Sequence, residues 1–164
     1  MNEKISLSEL RKAVNEMAAK VNIPAPSLAY YFIPNQDAHP YIEIDNNGQM
    51  NYVISERGQE YQRNITDDPD ELLYLLFENV TRNMASDYEL ANRKEGQDMR
   101  HILFSKQEEL LGILNENWKK RKIEEHKQVI KASALRDSYC NKLRAKGFSE
   151  REIARLSLEK YPLS

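Results

Sequence analysis

The stretch YIEIDNNGQMNYVI, residues 41–54, decides the centre of the fold. Apolar and polar residues alternate on both sides of Asn47-Gly48, as in strands whose side chains point to opposite faces in turn. Asn-Gly tolerates the positive φ values that tight hairpins require, so residues 46–49 are predicted to join two antiparallel strands. One face of this hairpin is predicted to be apolar and to consist of Ile42, Ile44, Met50, Tyr52 and Ile54.

Further strands are predicted on both sides of the hairpin. Residues 28–33 are aromatic and rich in β-forming side chains, and they lie between Pro26 and Pro34. Residues 60–65 are the second candidate. Together with the hairpin, these segments predict a small antiparallel meander of three to four strands.

A helix is predicted before the meander. Ser6 can cap its first turn, and Glu9, three residues later, can close a capping box. Apolar residues then recur at steps of three and four as far as Val21, which is the spacing of one helix face. Asn22 can take a left-handed cap conformation, and Pro24 prevents the helix from continuing.

The chain after the meander is predicted to be helical. Asp68 and Pro69 suit the N-cap and the first position of a long helix, and Gly96 separates that helix from the next one. A further helix begins at Trp118. Its outward face is predicted to be Lys119, Lys120, Arg121 and Lys122. Another helix covers residues 135–146, and the last one is capped by Ser149 together with Glu152.

The predicted fold class is therefore α+β, with an N-terminal helix, a β-meander and a helical half of about four to five helices. One domain over residues 1–164 is expected. Its parts are the helix and meander (1–66), a helical core (67–131) and a basic C-terminal helical hairpin (132–164).

The composition excludes several classes of protein. Of the 164 residues, 40% are hydrophobic and 30% are charged, which excludes a membrane protein, a collagen-like chain and a fully disordered chain. The longest apolar run, residues 72–77, is far shorter than the roughly 20 residues of a transmembrane helix. The opening MNEKISLSEL lacks the apolar segment of an export signal. We therefore expect a soluble, cytoplasmic protein that does not contact a membrane.

The net charge of −2 conceals an asymmetry along the chain. Residues 1–118 contain 11 basic and 20 acidic side chains, which gives −9, whereas residues 119–164 contain 13 and 6, which gives +7. Such a difference indicates an interaction surface at either end, or a basic segment that packs on an acidic body.

No catalytic, metal or cofactor site is predicted. The three histidines, His39, His101 and His126, have no second ligand at the spacing of a metal site. Cys140 is the single cysteine, and no histidine lies near it in the sequence. The five glycines are scattered singly, so no phosphate-binding loop is expected. The chain is therefore predicted not to be an enzyme.

Two groups of charged residues are candidates for function. The densest acidic cluster is Asp67, Asp68, Asp70 and Glu71, which suits a basic partner or a cation and equally suits the N-terminus of a helix. A second group consists of Glu89, Arg93, Asp98 and Arg100. Because Glu89 and Arg93 have the spacing of an ion pair within a helix, a structural polar network is the favoured interpretation of this group. A binding or catalytic site, with Glu89 or Asp98 as a general acid–base, is the alternative.

Several short motifs follow one another in order. They are ERG (56–58), TDD-x-DELLY (66–74), MASDYEL (84–90), Arg93, GQD-x-R (96–100), LF-x-KQ-x-ELL (103–111) and the final Glu159-Lys160-Tyr161-Pro162. In this series the sequence resembles the immunity protein 63 family, chiefly over residues 40–120.

The resemblance implies an immunity protein of a bacterial polymorphic-toxin or contact-dependent inhibition system. Such a protein is cytoplasmic, is not an enzyme and neutralises one cognate toxin C-terminal domain by tight binding. Toxin domains of this kind are often nucleases with basic clefts, and the acidic part of the chain suits such a partner. The surface expected to bind the toxin is Glu43, Asp45, Asp67, Asp68, Asp70 and Glu71.

The alternative is a nucleic-acid-binding or transcriptional adaptor that uses the basic C-terminal helices. Residues 146–156 resemble the first helix of a helix-turn-helix. In the last helix, however, the basic side chains are offset by Glu150, Glu152 and Glu159, whereas an element that faces DNA should carry a net positive charge. Nucleic acid is therefore not the expected partner.

Overall fold

The structure is a computed structural model that describes residues 4–162. Residues 1–3 and 163–164, which the predicted single domain includes, lie outside the described residues. The chain divides into two compact units, Met1–Lys119 and Lys120–Ser164. One domain with internal boundaries at residues 66 and 131 stays a prediction.

Helices and a three-stranded antiparallel sheet confirm the α+β class. The elements are α1 (Leu7–Lys20), a 3₁₀ helix (Ala25–Phe32), β1 (Tyr41–Ile44), β2 (Met50–Glu56), β3 (Gln59–Thr66), α2 (Pro69–Asn92), α3 (Met99–Leu114), α4 (Glu116–Ala145) and α5 (Glu150–Lys160). Residues 116–119 of α4 belong to the first unit, and the rest of α4 and α5 belong to the second.

The predicted hairpin is present, and residues 60–65 belong to the third strand. β2 lies between β1 and β3, with Ile42 opposite Tyr52 and Tyr52 opposite Asn64. The turn after β1 contains Gly48 at φ +77°. Arg57 (φ +51°) and Gly58 (φ +82°) form the two-residue turn between β2 and β3, so the ERG motif is a tight hairpin turn.

The strand predicted for residues 28–33 is wrong, because this segment is a 3₁₀ helix. A strand would bury alternate residues, whereas Leu28 and Tyr31, three positions apart, are buried and Tyr30 is 39% exposed. Three positions make one turn of a 3₁₀ helix. The segment begins after Pro24, and the Tyr31 hydroxyl donates a hydrogen bond to Asn79 of α2 at 2.6 Å.

Three of the predicted helix starts are confirmed by their caps. Ser6 and Glu9 form a reciprocal capping box at α1, as Ser149 and Glu152 do at α5. The Asp68 carboxylate accepts a hydrogen bond from the Asp70 amide at the start of α2. These side chains satisfy backbone N–H groups that the first turn of a helix leaves free.

The core of the first unit lies between α1, the 3₁₀ helix, the inner face of the sheet, α2 and α3. The predicted apolar face of the hairpin points into it. Its buried members include Leu10, Val14, Leu28, Phe32, Ile42, Met50, Tyr52, Leu72, Tyr74, Leu76, Phe77, Leu111 and Trp118. On α2 the buried side also includes Thr81, Ala85 and Glu89, whereas Tyr88 is 44% exposed.

Two predictions about the basic segment are wrong. The helices predicted from Trp118 and over residues 135–146 are one continuous helix, because residues 116–145 contain no glycine or proline to interrupt it. Lys122, predicted on the outward face, is buried, and its Nζ donates to the Glu125 carboxylate at 2.7 Å. A buried ammonium group needs such a partner.

Among residues 4–162, none of the helices combines the length and the hydropathy that a membrane-spanning helix requires.

Trp118 should be essential for the stability of the first unit. Its ring stacks on Phe77 with centroids 6.2 Å apart, and its Nε1–H donates to Asp70 at 3.1 Å. Trp118→Ala should lower the free energy of unfolding by about 3–5 kcal/mol, measured by urea denaturation. Trp118→Phe, which keeps an aromatic ring and loses the N–H donor, should cost less. Equal losses for both variants would contradict a packing role of the ring.

Candidate functional site

The register of the sheet gathers most of the predicted acidic residues at one end. Ile44 lies opposite Met50, and Met50 lies opposite Thr66, so the turn after β1 is next to the residues that follow β3. Asp45 is in that turn, and Asp67 and Asp68 directly follow β3. We call this surface the acidic end, defined as Asp45, Asp67, Asp68, Asp70 and Glu71.

A cleft of about 470 Å³ lies at the acidic end. Its lining comes from the turn after β1, the start of α2 and the segment before α1. Asp67 and Asn47 are on its wall, and the Lys4 ammonium group donates a hydrogen bond to the Asn47 carbonyl. The cleft is open to solvent, so the charged side chains on its wall can act on a partner molecule that approaches the acidic end.

Three aspartates of the acidic end also hold local structure. Asp45 Oδ1 accepts hydrogen bonds from the amides of Asn47 (2.8 Å) and Gln49 (3.0 Å), which closes the turn. Asp68 caps α2, and Asp70 accepts the bond from Trp118. Asp67 is exposed and supports neither turn nor helix start. In each of these bonds the carboxylate is the acceptor, so these roles are compatible with an acidic docking surface.

Glu43 lies elsewhere, on the outer face of the sheet. There Arg63 of β3 binds three side chains: Glu43 at 2.6 Å, Glu60 at 2.8 Å and Asn51 at 3.1 Å. The hydrogen bonds that Arg63 donates to Glu60 and Glu43 raise the pKa of Arg63, and the bond that Glu60 accepts lowers the pKa of Glu60. We call Arg63, Glu43, Glu60 and Asn51 the Arg63 cluster. It links all three strands.

The second predicted group consists of two separate pairs. Arg93 donates two hydrogen bonds of 2.8 Å to the carboxylate of Glu89, which is only 1% exposed. This bond lowers the pKa of Glu89. Asp98 caps α3 through the amide of Arg100 (2.9 Å), and the Arg100 guanidinium lies 3.4 Å from the same carboxylate. Each pair fixes one helix end beside Gly96, and the interpretation of all four residues as one network stays a prediction.

The three histidines lie in three different segments of the chain. His39 packs against the rings of Tyr30 and Tyr31, His101 is exposed on α3 and His126 is buried on α4. In the part of the chain that the structure describes, residues 4–162, no group of three or more His, Cys, Asp or Glu side chains could hold a metal ion.

Neither the Arg63 cluster nor the bond between Trp118 and Asp70 was predicted from the sequence. The cluster joins residues up to 20 positions apart, and the Trp118 bond spans 48 positions. Two local signals in the sequence could have indicated them. The three-residue spacing of Glu60 and Arg63 indicates part of the cluster, and the single tryptophan near the end of the predicted core indicates a buried aromatic residue.

One family model matches the chain, and its description is immunity protein 63. The match covers residues 46–128, which is just over half of the chain. It includes β2, β3, α2, α3 and the beginning of α4, and therefore the acidic end except Asp45. No curated protein and no solved structure matches the chain.

The bond between Glu89 and Arg93 should support the fold. Arg93→Ala leaves a buried carboxylate without its guanidinium and should lower the melting temperature, followed by circular dichroism. Arg82→Ala is the matched control, because Arg82 lies on α2, as Glu89 does, and is 3.9 Å from Glu78 with a side chain more exposed than that of Arg93. It should change the melting temperature less.

The effect of Arg93→Ala should depend on pH. Because the pKa of Glu89 is lowered in the folded state, its contribution is present above the ordinary value of 4.5 and is lost as the pH falls through the folded value. The difference from the wild type should therefore be largest near neutral pH and should shrink below pH 4.5. A difference that grows on acidification would contradict this account.

Proposed function

Because the chain belongs to the immunity protein 63 family, we propose that it binds one cognate toxin domain and neutralises it by covering the active site or the substrate-binding surface of the toxin. The family match is the observation that carries this proposal. It implies a toxin as the partner, and members of such families generally act by binding and not by catalysis. A polymorphic-toxin or contact-dependent inhibition system, and action in the cytoplasm, are parts of the same proposal.

The acidic end is the first surface that we propose for the toxin. Its aspartates lie on a turn and a helix start that are held by hydrogen bonds, so the negative charges are fixed in place before a partner arrives. Fixed charges of one sign accelerate the approach of a partner of opposite sign and discriminate against others. A nuclease, whose cleft must attract a nucleic acid backbone, would present such a basic surface.

The ion pairs of the second unit are an argument against nucleic acid as its partner. Several of its basic side chains are already paired: Arg121 and Lys122 with Glu125, Lys127 with Glu124, and Arg144 with Glu150. These pairs offset part of the positive charge that an adaptor for nucleic acid would need. A nucleic-acid-binding adaptor stays the alternative function. The next experiment distinguishes it from an immunity protein.

Co-expression should show protection. The C-terminal domain encoded immediately upstream of this gene is produced in a sensitive bacterium, alone and together with this protein, and growth is recorded. We expect the domain alone to stop growth and the pair to grow. Failure of rescue beside a toxic domain, together with salt-dependent binding of this protein to duplex DNA, would contradict immunity and favour the adaptor.

Neutralising the acidic end should slow the association with the toxin. The triple variant Asp45→Asn, Asp67→Asn and Asp68→Asn removes three charges and keeps oxygen acceptors for the turn and the cap. We expect association at low salt to slow by about tenfold or more, and the effect to vanish at high salt. The measurement is stopped-flow or surface plasmon resonance.

The matched control removes three exposed charges elsewhere in the same unit. It is the variant Glu16→Gln, Asp87→Asn and Glu95→Gln. It changes the net charge equally and should slow association less. Equal slowing by both variants would mean that net charge matters and the acidic end does not.

A further inference from the structure

β3 is a strand with one side unpaired. It has eight residues, pairs with β2 and is the last strand of the sheet. Seven of its residues are exposed, and Thr66 is partly exposed. Along such a strand, every second residue directs its N–H and C=O groups away from the sheet. These groups are a template for one more strand.

The opposite side of the sheet is covered, in contrast to β3. The 3₁₀ helix contacts β1. The chain leading to β1 adds an isolated bridge between Asp37 and Glu56, and Gln36 binds the amide of Gly58 at 2.8 Å. Within residues 4–162, β3 is therefore the open edge of this sheet.

β3 has few of the features that usually prevent an edge strand from pairing, which are bulges, prolines and charged side chains. The register shift lies at Ile54 and Ser55, near the start of β3, so residues 62–66 remain in regular register. These residues include no proline and no lysine. Their single charge, Arg63, is neutralised by the carboxylates of the Arg63 cluster.

The side chains around this edge are apolar in two places and acidic overall. Tyr61 is 61% exposed and Ile65 is 58% exposed, which places both among the most exposed large apolar side chains of the first unit. The charged side chains on β3, at its ends or bound to Arg63 comprise five carboxylates and two guanidiniums: Glu43, Glu56, Glu60, Asp67, Asp68, Arg57 and Arg63. The edge continues directly into the acidic end at Asp67.

We infer that the toxin domain binds this protein by adding an extended basic strand to β3. The open backbone groups require an extended partner, the surplus of carboxylates requires basic side chains, and Tyr61 and Ile65 supply apolar contact. The added strand runs along residues 62–66 towards the acidic end. This inference rests on the proposed function and specifies the partner surface.

Hydrogen–deuterium exchange followed by NMR tests the inference on the purified complex with the co-expressed toxin domain. In the free protein, the β3 amides that point away from β2 should exchange quickly. In the complex, these alternate amides should exchange on the order of a hundredfold more slowly. The size of the slowing distinguishes strand addition from simple coverage, because only an amide that has gained a hydrogen bond must break it before it exchanges.

The outcomes separate the inference from the proposed function. If no complex forms and no protection of cells is seen, the proposed function fails and the inference falls with it. If the complex forms and the alternate amides of β3 remain fast, the function stands and the inference is overturned. Alternate amides that are already slow in the free protein, together with a dimer mass by light scattering, would mean that a second copy occupies the edge, which also overturns it.

A pair of variants provides a second test with the same complex. Ile65→Lys places a positive charge where the basic strand should lie, and Leu90→Lys is the control, because Leu90 on α2 is 61% exposed. Both should keep the melting temperature of the wild type. We expect Ile65→Lys to raise the Kd at least about tenfold and Leu90→Lys to leave it unchanged. Equal effects would contradict docking on β3.

Discussion

The burial of α2 is the constraint on which the first unit depends. This helix presents apolar side chains to the sheet and to the neighbouring helices, and Leu72, Leu76 and Phe77 are fully buried. Trp118 completes the packing, because its ring contacts Tyr74 and Phe77 while its N–H binds the first turn of the same helix. The start of α4 is thereby held against α2, and Asn115 alone separates α3 from α4.

The position of α2 also determines which surfaces remain available. Because α2 covers the inner face of the sheet and, among residues 4–162, β3 pairs with β2 alone, the residues of the β3 edge stay exposed. Because α2 begins directly after β3, its acidic first turn lies beside the turn after β1. The acidic end and the open edge are thus one continuous surface, built from residues whose first role is to hold a turn, a cap and a sheet.

Short-range patterns predicted most of the fold. The capping residues Ser6, Asp68 and Ser149 and the Asn-Gly hairpin act within a few positions, so the sequence shows them directly. The strand prediction for residues 28–33 was wrong, because a short apolar run does not distinguish a strand from a 3₁₀ helix. The buried Lys122 and the continuity of α4 depend on packing and on the absence of helix breakers over 30 residues.

The candidate site was predictable in part for the same reason. Acidic residues close in sequence, such as Asp67 and Asp68, were found as a cluster. The strand register sets the contacts of residues that are far apart in sequence. It places Asp45 beside Asp67 and Asp68, and it places Glu43 away from them. The Arg63 cluster and the open edge of β3 are properties of the assembled sheet, and the spacing of Glu60 and Arg63 indicates only one of the ion pairs in the cluster.

The acidic end and the open edge of β3 both serve the proposed function, which is to neutralise a toxin by binding it. Isothermal titration calorimetry of this purified protein into the purified toxin domain tests it most directly. We expect one protein bound per toxin domain, with a Kd on the order of nanomolar or below, and complete loss of toxin activity at equivalence. No heat of binding, or a tight complex in which the toxin keeps its activity, would contradict it.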